Sequence, residues 1–207
     1  MASDGLERIC EEAMRVGQRI DLSDCPYGET TGPCHFISRP ANYYFFLAGF
    51  VKTERLKDVL EIGTNYGGSI MSIAKGLHED DIASGCLVTM DIVLKNSEAF
   101  RKYPCIRRIK GDSLEPKVAN KAAEFFKAEI DLLYVDSVHE YDHAKKNIDI
   151  YTHALNPRYV ILDDIRQCED MRRLWSELVK KFKEDAFDAS EVSIRKGAGF
   201  GVIKWRA

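Results

Sequence analysis

The sequence predicts an α/β fold in which a mostly parallel sheet carries helices on both faces. From Asp58 onward, short apolar runs alternate with helical patterns, which is typical of successive β-α-β units. Near the C-terminal end, residues 187–194 and 199–205 are predicted as two strands joined by R-K-G-A, which indicates an antiparallel hairpin. Five parallel strands and this hairpin together predict a seven-stranded sheet.

Residues 1–55 are predicted as a helical and lid segment. Apolar side chains stand at helical spacing over 4–20, and a second helix with an aromatic cluster is predicted over 41–52. Between them, residues 21–40 are rich in Pro, Gly, Ser and Thr, which predicts either disorder or a functional lid. The aromatic side chains in this loop favour a lid. We expect the segment of residues 21–46 to close over the ligand site.

Residues 56–207 are predicted as the core, and the whole chain of residues 1–207 as a single domain. The predicted parallel strands are 58–62, 86–92, 105–110, 131–136 and 158–163. The predicted helices between and after them are 67–78, 95–102, 115–128, 140–154 and 169–184.

The overall composition argues against several classes of function. A net charge of −3 provides no broad basic surface for nucleic acid or a membrane. No apolar run approaches the length that crosses a bilayer, and the first thirty residues show no signal-peptide pattern. We therefore expect a cytoplasmic protein whose partners include neither nucleic acid nor a membrane.

The functional prediction is built around residues 58–76. An apolar strand is followed by Gly63, Gly67 and Gly68, and a helical pattern begins directly after them. A strand, a glycine turn and a helix N-terminus direct free backbone N–H groups at a ligand. Glu61, just before the turn, disfavours a pyrophosphate and suits a ligand that carries hydroxyl groups or a cation.

Acidic residues stand at the ends of all five predicted parallel strands. Ligands of open α/β sheets bind beyond the carboxyl ends of the strands, so these acids are expected at one edge of the sheet. Asp91 can accept two hydrogen bonds from a ribose diol. Asp112 and Ser113 are placed to hold an adenine amino group.

Asp136, Asp163 and Asp164 predict a cation site. Their charge at two neighbouring strand ends is costly unless a cation compensates for it. Carboxylate oxygens select Mg²⁺, Mn²⁺ or Ca²⁺ over Zn²⁺. The alternative interpretation is structural, with Asp164 as a helix cap.

These motifs resemble those of the class I S-adenosylmethionine (SAM) dependent methyltransferases. E-I-G-T-N-Y-G-G-S at 61–69 is similar to their motif I. V-D-S-V-H-E-Y at 135–141 and L-N-P-R-Y-V-I-L-D-D-I at 155–165 resemble the metal-dependent sugar O-methyltransferases of the macrocin and mycinamicin type, and the related cephalosporin-hydroxylase-like methyltransferases. The resemblance covers the order of elements over about residues 30–205, and Ser137 stands where that family often has glycine.

The resemblance implies a Rossmann-like methyltransferase fold and a SAM-dependent, divalent-metal-dependent O-methyltransferase. The residues then expected to hold SAM are Glu61, Gly63, Thr64, Asn65, Gly67, Gly68, Ser69, Asp91, Asp112, Ser113 and Asp136. Asp136, Asp163 and Asp164 would hold Mg²⁺, or Mn²⁺ or Ca²⁺ in its place. The expected partner is a hydroxylated small molecule, first a natural-product sugar or similar polyol and second a catechol-like phenol. Homo-oligomers are common in the family, but the sequence does not decide this point.

His139 and Asp136 are the predicted catalytic residues. In one branch of the family a D-x-x-H histidine is the proposed base, and His139 occupies that position. An imidazole there can take the proton of an acceptor hydroxyl near neutral pH. The alternative is a histidine that only hydrogen-bonds the backbone, which leaves the proton to Asp136 or to metal-bound water.

Two other functions stay open. A protein with this fold could bind SAM without catalysis, with the acids serving only structure. Residues 139–143 also match H-E-x-x-H, a signature of zinc hydrolases. No metzincin continuation follows that motif, and a zinc site would leave the five acids at the strand ends unexplained.

Overall fold

The computed structural model describes residues 4–28, 36–37, 40–126 and 129–206. Helices α1 (Asp4–Gly17) and α2 (Asn42–Glu54) confirm the two predicted N-terminal helices. Short strands β1 (Tyr27–Gly28) and β2 (Phe36–Ile37) pair antiparallel within the predicted lid. Residues 29–35 and 38–39 of that segment lie outside the described residues, so the lid stays a prediction.

Seven strands form the central sheet. In chain order they are β3 (Asp58–Ile62), β4 (Cys86–Asp91), β5 (Ile106–Lys110), β6 (Leu132–Val135), β7 (Tyr159–Asp163), β8 (Ala186–Asp188) and β9 (Phe200–Lys204). Their order across the sheet is β5-β4-β3-β6-β7-β9-β8. The first five are parallel, and β9 pairs antiparallel with both β7 and β8. The predicted fold class is confirmed.

Helices cover both faces of this sheet. After α2 they are α3 (Gly68–Gly76), α4 (Glu79–Ile82), α5 (Ser97–Phe100), α6 (Pro116–Ala123), α7 (Tyr141–Leu155) and α8 (Glu169–Phe182), followed by a 3₁₀ turn at Lys183–Asp185. Successive residues of β3 point to opposite faces, so Val59 packs in a core with α1, α2 and α3 and Leu60 in a core with α6, α7 and α8. Among the described residues, no helix is both long and apolar enough to cross a bilayer.

Several predicted elements were wrong in extent. The helix predicted over 115–128 ends at Ala123. The strand predicted over 187–194 ends at Asp188, because the next backbone groups bond within a turn, where Arg195 N–H donates to the Ser190 carbonyl. The Ser190 hydroxyl accepts the Phe200 N–H and closes this turn onto β9. The helix predicted over 95–102 is limited to α5, which follows a left-handed Asn96 (φ 52°).

The crevice of the sheet lies where the strand order changes direction, between β3 and β6. Ile62 pairs with Val135, so Gly63 and Asp136 leave the two strands side by side. A Cβ on Gly63 would lie 1.7 Å from the Asp136 carbonyl oxygen, and its φ is +101°. Only glycine fits that position, which brings the first loop against Asp136 at the edge where α/β folds bind ligands.

Candidate active site

A cavity of about 290 Å³ opens at the carboxyl ends of the parallel strands. It is lined by six residues predicted for cofactor binding: Gly63, Asn65, Asp91, Asp112, Ser113 and Asp136. The remaining lining residues include Met90, Ile92, Lys95, Val138 and His143. A concave, mixed apolar and polar site of this kind is what a small ligand requires.

Asp91 is held in the cavity by backbone groups. Its Oδ2 accepts the Asn65 N–H at 2.8 Å, and its Oδ1 accepts the Val93 N–H at 3.0 Å. An ionised carboxylate has about four acceptor positions, so two stay available to a ligand. Asp112 is oriented in the same way, since its Oδ1 accepts the Leu114 N–H at 2.9 Å.

Glu61 lies beneath the glycine loop and does not line the cavity. It is fully buried and accepts hydrogen bonds from the Ser69 and Thr89 hydroxyls, and the Thr64 hydroxyl lies 2.6 Å from that of Thr89. Burial raises the pKa of Glu61 to about 8, against the lowering effect of the two hydroxyls. Glu61 therefore ties β3 to β4 and α3 and positions the loop.

Gly67 and Gly68 are close to other parts of the protein. A Cβ on Gly67 would lie 2.3 Å from the Phe100 ring, and one on Gly68 would lie 2.0 Å from the Pro26 carbonyl oxygen. Gly67 lines a second cavity of about 40 Å³. Gly68 lines neither this cavity nor the larger one. The close approach predicted for these two glycines is thus explained by protein packing.

The second cavity lies on the tyrosine side of the loop and was not predicted. Its wall comprises Tyr27, Tyr43, Tyr44, Gly63, Thr64, Asn65, Tyr66, Gly67, Ser69 and Asp136. The Tyr43 and Tyr44 ring centroids are 4.7 Å apart, and Tyr27 and Tyr44 are 6.2 Å apart, both edge-on. Tyr43 and Tyr44 differ from Phe46 and Phe50 of the same helix by a hydroxyl, which was the available signal in the sequence.

Asp163 is fully buried and surrounded by donors. Its Oδ1 accepts the Asp164 N–H at 2.8 Å and Arg195 Nε–H at 3.1 Å. Its Oδ2 accepts from Arg195 Nη2 at 3.0 Å and lies 3.5 Å from the Tyr134 hydroxyl. Burial, with the charge of Asp136, raises the pKa of Asp163, so its ionised form depends on Arg195.

Asp136, His139 and Asp164 converge beside that pair. The His139 Nε2 lies 3.0 Å from Asp164 Oδ2 and 3.7 Å from Asp136 Oδ1. One donor atom from each residue fits within 4.8 Å of the other two, a spacing that suits a metal ion. Asp164 has a left-handed backbone (φ 59°), an uncommon conformation for a residue that is not glycine. Burial lowers the pKa of His139, but the nearby carboxylates of Asp136 and Asp164 outweigh it and raise the pKa overall.

The H-E-x-x-H histidines do not form a pair. His139 precedes α7 and faces the carboxylates, whereas His143 lies in α7, lines the larger cavity and contacts Asn147 Nδ2 through Nδ1 at 3.1 Å. Within the described part of the chain, the candidate metal group contains His139 without His143. The arrangement that a zinc hydrolase needs is therefore missing from these residues.

Residues 60–165, just over half of the chain, match the methyltransferase domain family. No curated protein sequence matches the chain. Among solved structures, the O-methyltransferase from Bacillus cereus in complex with SAH is 18% identical, with a TM-score of 0.61 over 95% of this chain and 90% of that chain.

Two natural-product enzymes also share the fold. The O-methyltransferase TomG from Streptomyces achromogenes, involved in tomaymycin synthesis and in complex with SAM, is 17% identical, with a TM-score of 0.60 over 98% of this chain and 89% of that chain. The MycE methyltransferase of the mycinamycin biosynthetic pathway, in complex with Mg, SAH and mycinamycin VI, is 16% identical, with a TM-score of 0.50 over 74% of this chain and 46% of that chain.

The matched segment begins in β3 and ends just after Asp164. It therefore includes the glycine loop, the larger cavity and the candidate metal group of Asp136, His139 and Asp164. The methyltransferase class predicted from the motifs is the class of this family, and the matched O-methyltransferase structures share the fold. The chain therefore belongs to the methyltransferase domain family and has the fold of the class I SAM-dependent O-methyltransferases.

Proposed function

We propose that this protein transfers a methyl group from SAM to a hydroxyl group of a small molecule, with the help of a divalent metal ion. The observation that carries the proposal is the position of Asp136. This residue lines the larger cavity, lines the tyrosine-walled cavity and belongs to the candidate metal group. A cofactor, an acceptor and a cation can therefore meet at one carboxylate.

The larger cavity has the groups that the adenosine part of SAM needs. Asp91 would accept the ribose hydroxyls, and Asp112 with Ser113 would hold the adenine. The loop from Gly63 to Gly67 would carry the methionine end, next to the tyrosine-walled cavity. Aromatic ring faces attract cations, so this wall suits a sulfonium. When bound, SAM supplies an electrophilic methyl group.

Asp136 and His139 are the proposed catalytic residues, because Asp136 lines both cavities and His139 Nε2 lies 3.7 Å from Asp136 Oδ1. Either side chain could take the hydroxyl proton. Displacement at a methyl group depends chiefly on alignment of the reactants and exclusion of water. The buried tyrosine rings of α2 exclude water from this side of the loop.

A divalent cation is proposed because the three acids are only partly compensated. The carboxylates of Asp136, Asp163 and Asp164 face Arg195 and, when protonated, His139. Mg²⁺, Mn²⁺ and Ca²⁺ suit such oxygen donors. The MycE structure holds Mg together with a natural product, which supports a sugar or similar polyol as the first acceptor class here and a catechol-like phenol as the second. A cytoplasmic location and a homo-oligomeric state stay predictions.

Calorimetric titration with SAM and SAH tests the cofactor assignment. We expect Asp91→Ala to weaken SAM binding by about 10- to 100-fold, because hydrogen bonds to a charged group are lost. The exposed Asp80→Ala is the matched control and should bind as the wild type does. If the wild-type protein binds neither SAM nor SAH, the proposal is wrong.

Transfer of radiolabelled methyl from SAM to a panel of polyols and phenols tests the chemistry. Methyl ether formation that disappears with EDTA and returns with Mn²⁺ or Mg²⁺ is the expected result. Strong SAM binding without transfer to any acceptor, insensitive to metal, would favour the non-catalytic binding protein instead.

A further inference from the structure

Three hydrogen bonds hold the fully buried carboxylate of Asp163 and limit its capacity to bind a metal. The Asp164 N–H and Arg195 Nε donate to Oδ1, and Arg195 Nη2 donates to Oδ2. The Tyr134 hydroxyl has one hydrogen, and it lies closer to Asp136 Oδ2 (3.2 Å) than to Asp163 Oδ2 (3.5 Å). A carboxylate offers about four acceptor positions in all. Three of these positions on Asp163 are taken, two of them by Arg195, so Asp163 could serve fully as a metal ligand only if the Arg195 contact broke.

Arg195 is itself held in place by three neighbours. Besides Asp163, its Nη2 donates to Asp164 Oδ1 at 2.9 Å, and its guanidinium lies 4.5 Å from the centre of the Tyr43 ring. The side chain is 20% exposed. Displacing it would leave a buried cation and a buried carboxylate without partners, which costs several kcal/mol.

The metal-ligating atoms that stay available belong to Asp136, His139 and Asp164. The Asp164 Oδ2 is turned away from Arg195, which contacts the other oxygen, and it lies 3.0 Å from His139 Nε2. The buried Nε2 makes no well-aligned hydrogen bond to any residue that the structure describes. Asp136 Oδ1 completes the group, while its Oδ2 accepts from Tyr134 at 3.2 Å.

We propose that the metal ion is bound by Asp136, His139 and Asp164, with Arg195 taking the place of the metal at Asp163. This inference rests on the proposed function, since it names the ligands of the cation assumed there. It departs from the set of Asp136, Asp163 and Asp164 that the sequence resemblance implied, and it makes His139 a ligand through Nε2, which then cannot also accept the proton of the acceptor.

The charges and the donor types support this ligand set. Three carboxylates carry a formal charge of −3, and Arg195 with one divalent ion carries +3, so the cluster becomes neutral when His139 is neutral. One imidazole with two carboxylates suits Mn²⁺ or Fe²⁺ better than Mg²⁺ or Ca²⁺, which prefer oxygen donors alone. The single nitrogen ligand thus favours Mn²⁺ or Fe²⁺ at this site.

Mn²⁺ binding to the metal-free full-length protein provides the test, with free Mn²⁺ measured by electron paramagnetic resonance and Mg²⁺ as competitor. His139→Gln should weaken Mn²⁺ binding by at least about tenfold and should lower the ratio of Mn²⁺ to Mg²⁺ affinity by a similar factor. Asp136→Asn and Asp164→Asn should also weaken Mn²⁺ binding. His153→Gln and Asp149→Asn change exposed residues of α7, which contains none of the proposed ligands, and serve as matched controls.

The direct readout is the spin-echo modulation that a coordinated nitrogen imposes on bound Mn²⁺. We expect this ¹⁴N signal in the wild type and in both controls, and its loss in His139→Gln. Wild-type Mn²⁺ binding without ¹⁴N modulation, or unchanged Mn²⁺ affinity in His139→Gln, would overturn the ligand assignment.

Parallel SAM titration separates this inference from the proposed function. If the protein binds SAM and transfers its methyl group but binds no Mn²⁺, the proposed metal site is wrong and the methyltransferase assignment stands. If the protein binds Mn²⁺ with ¹⁴N modulation but does not bind SAM, the proposed ligand set stands and the proposed reaction is wrong. Equal melting temperatures in EDTA would show that His139→Gln is folded.

Discussion

The two halves of the site hold their carboxylates in different ways. In the cofactor half, at the ends of β4 and β5, Asp91 and Asp112 each accept the N–H two residues further along the chain. In the acidic half, at the end of β7, Asp163 is held by the side chain of Arg195, 32 residues away in the turn before β9. Local contacts form wherever the strand ends, but the second arrangement requires the whole C-terminal part of the sheet.

The two halves also stabilise a buried carboxyl group by different means. Glu61 and Asp163 are both fully buried, one under the glycine loop and the other beside the candidate metal group. Glu61 receives only neutral hydroxyl donors, and its pKa of about 8 keeps it mostly protonated at neutral pH. Asp163 receives a guanidinium and can stay ionised. The first two predictions below test this difference, and the third tests whether His143 belongs to the metal site.

The largest effect is expected from Arg195→Gln. The substitution leaves the charge of Asp163 buried without its partner, which should lower the free energy of unfolding by about 3–5 kcal/mol. Urea denaturation at pH 7 in EDTA measures it. Arg195→Lys should restore part of the loss, since it keeps the charge without the two-pronged geometry.

Arg101→Gln is the matched control, because Arg101 is exposed at the end of α5 and should leave stability within about 0.5 kcal/mol of the wild type. If Arg195→Gln unfolds at the same urea concentration as Arg101→Gln, the acidic half does not depend on its long-range ion pair.

The next effect concerns the pH dependence of stability. The folded pKa of Glu61 is raised above its ordinary value, so the folded state holds a proton that the unfolded state releases between about pH 4.5 and pH 8. Stability contributed by this proton is present at low pH and is lost as the pH rises through that window. Glu61→Gln should therefore remove a decrease of roughly 3 kcal/mol between pH 5.5 and pH 8.

Urea unfolding of the metal-free protein at several pH values measures this slope. Other groups of the acidic half also titrate, so the difference between wild type and Glu61→Gln is the relevant quantity. Parallel stability curves for the two proteins would show that Glu61 is already ionised in the folded state at pH 5.5.

The smallest effect is expected from His143→Gln. The substitution removes one hydrogen-bonding contact with Asn147, worth about 1 kcal/mol, and no proposed metal ligand. Metal content, measured by mass spectrometry, and Mn²⁺ affinity should match those of the wild type. Stoichiometric zinc in the wild type that disappears in His143→Gln would support the H-E-x-x-H interpretation instead.

Much of the fold could be predicted because its signals are local. The alternation of apolar runs and helical patterns placed all five parallel strands to within about a residue or two at each end. The strand predicted through residue 194 was too long, because its Ser and Val pattern favours a strand while the Ser190 side chain and backbone close a turn. A period-two pattern does not reveal such side-chain competition with the ladder.

The sequence by itself determined the β-α-β order, the glycine loop and the line of acids at the strand ends, since these depend on backbone geometry and on the common direction of parallel strands. Only the tertiary structure decided the partners of those acids. In the folded protein Glu61 is buried beneath the loop, and Asp163 accepts hydrogen bonds from Arg195. His139 lies against Asp164, and tyrosines of α2 line the smaller cavity. Such partners are far apart in sequence and meet only when the sheet is assembled, so their packing selects which carboxylates stay free for a ligand.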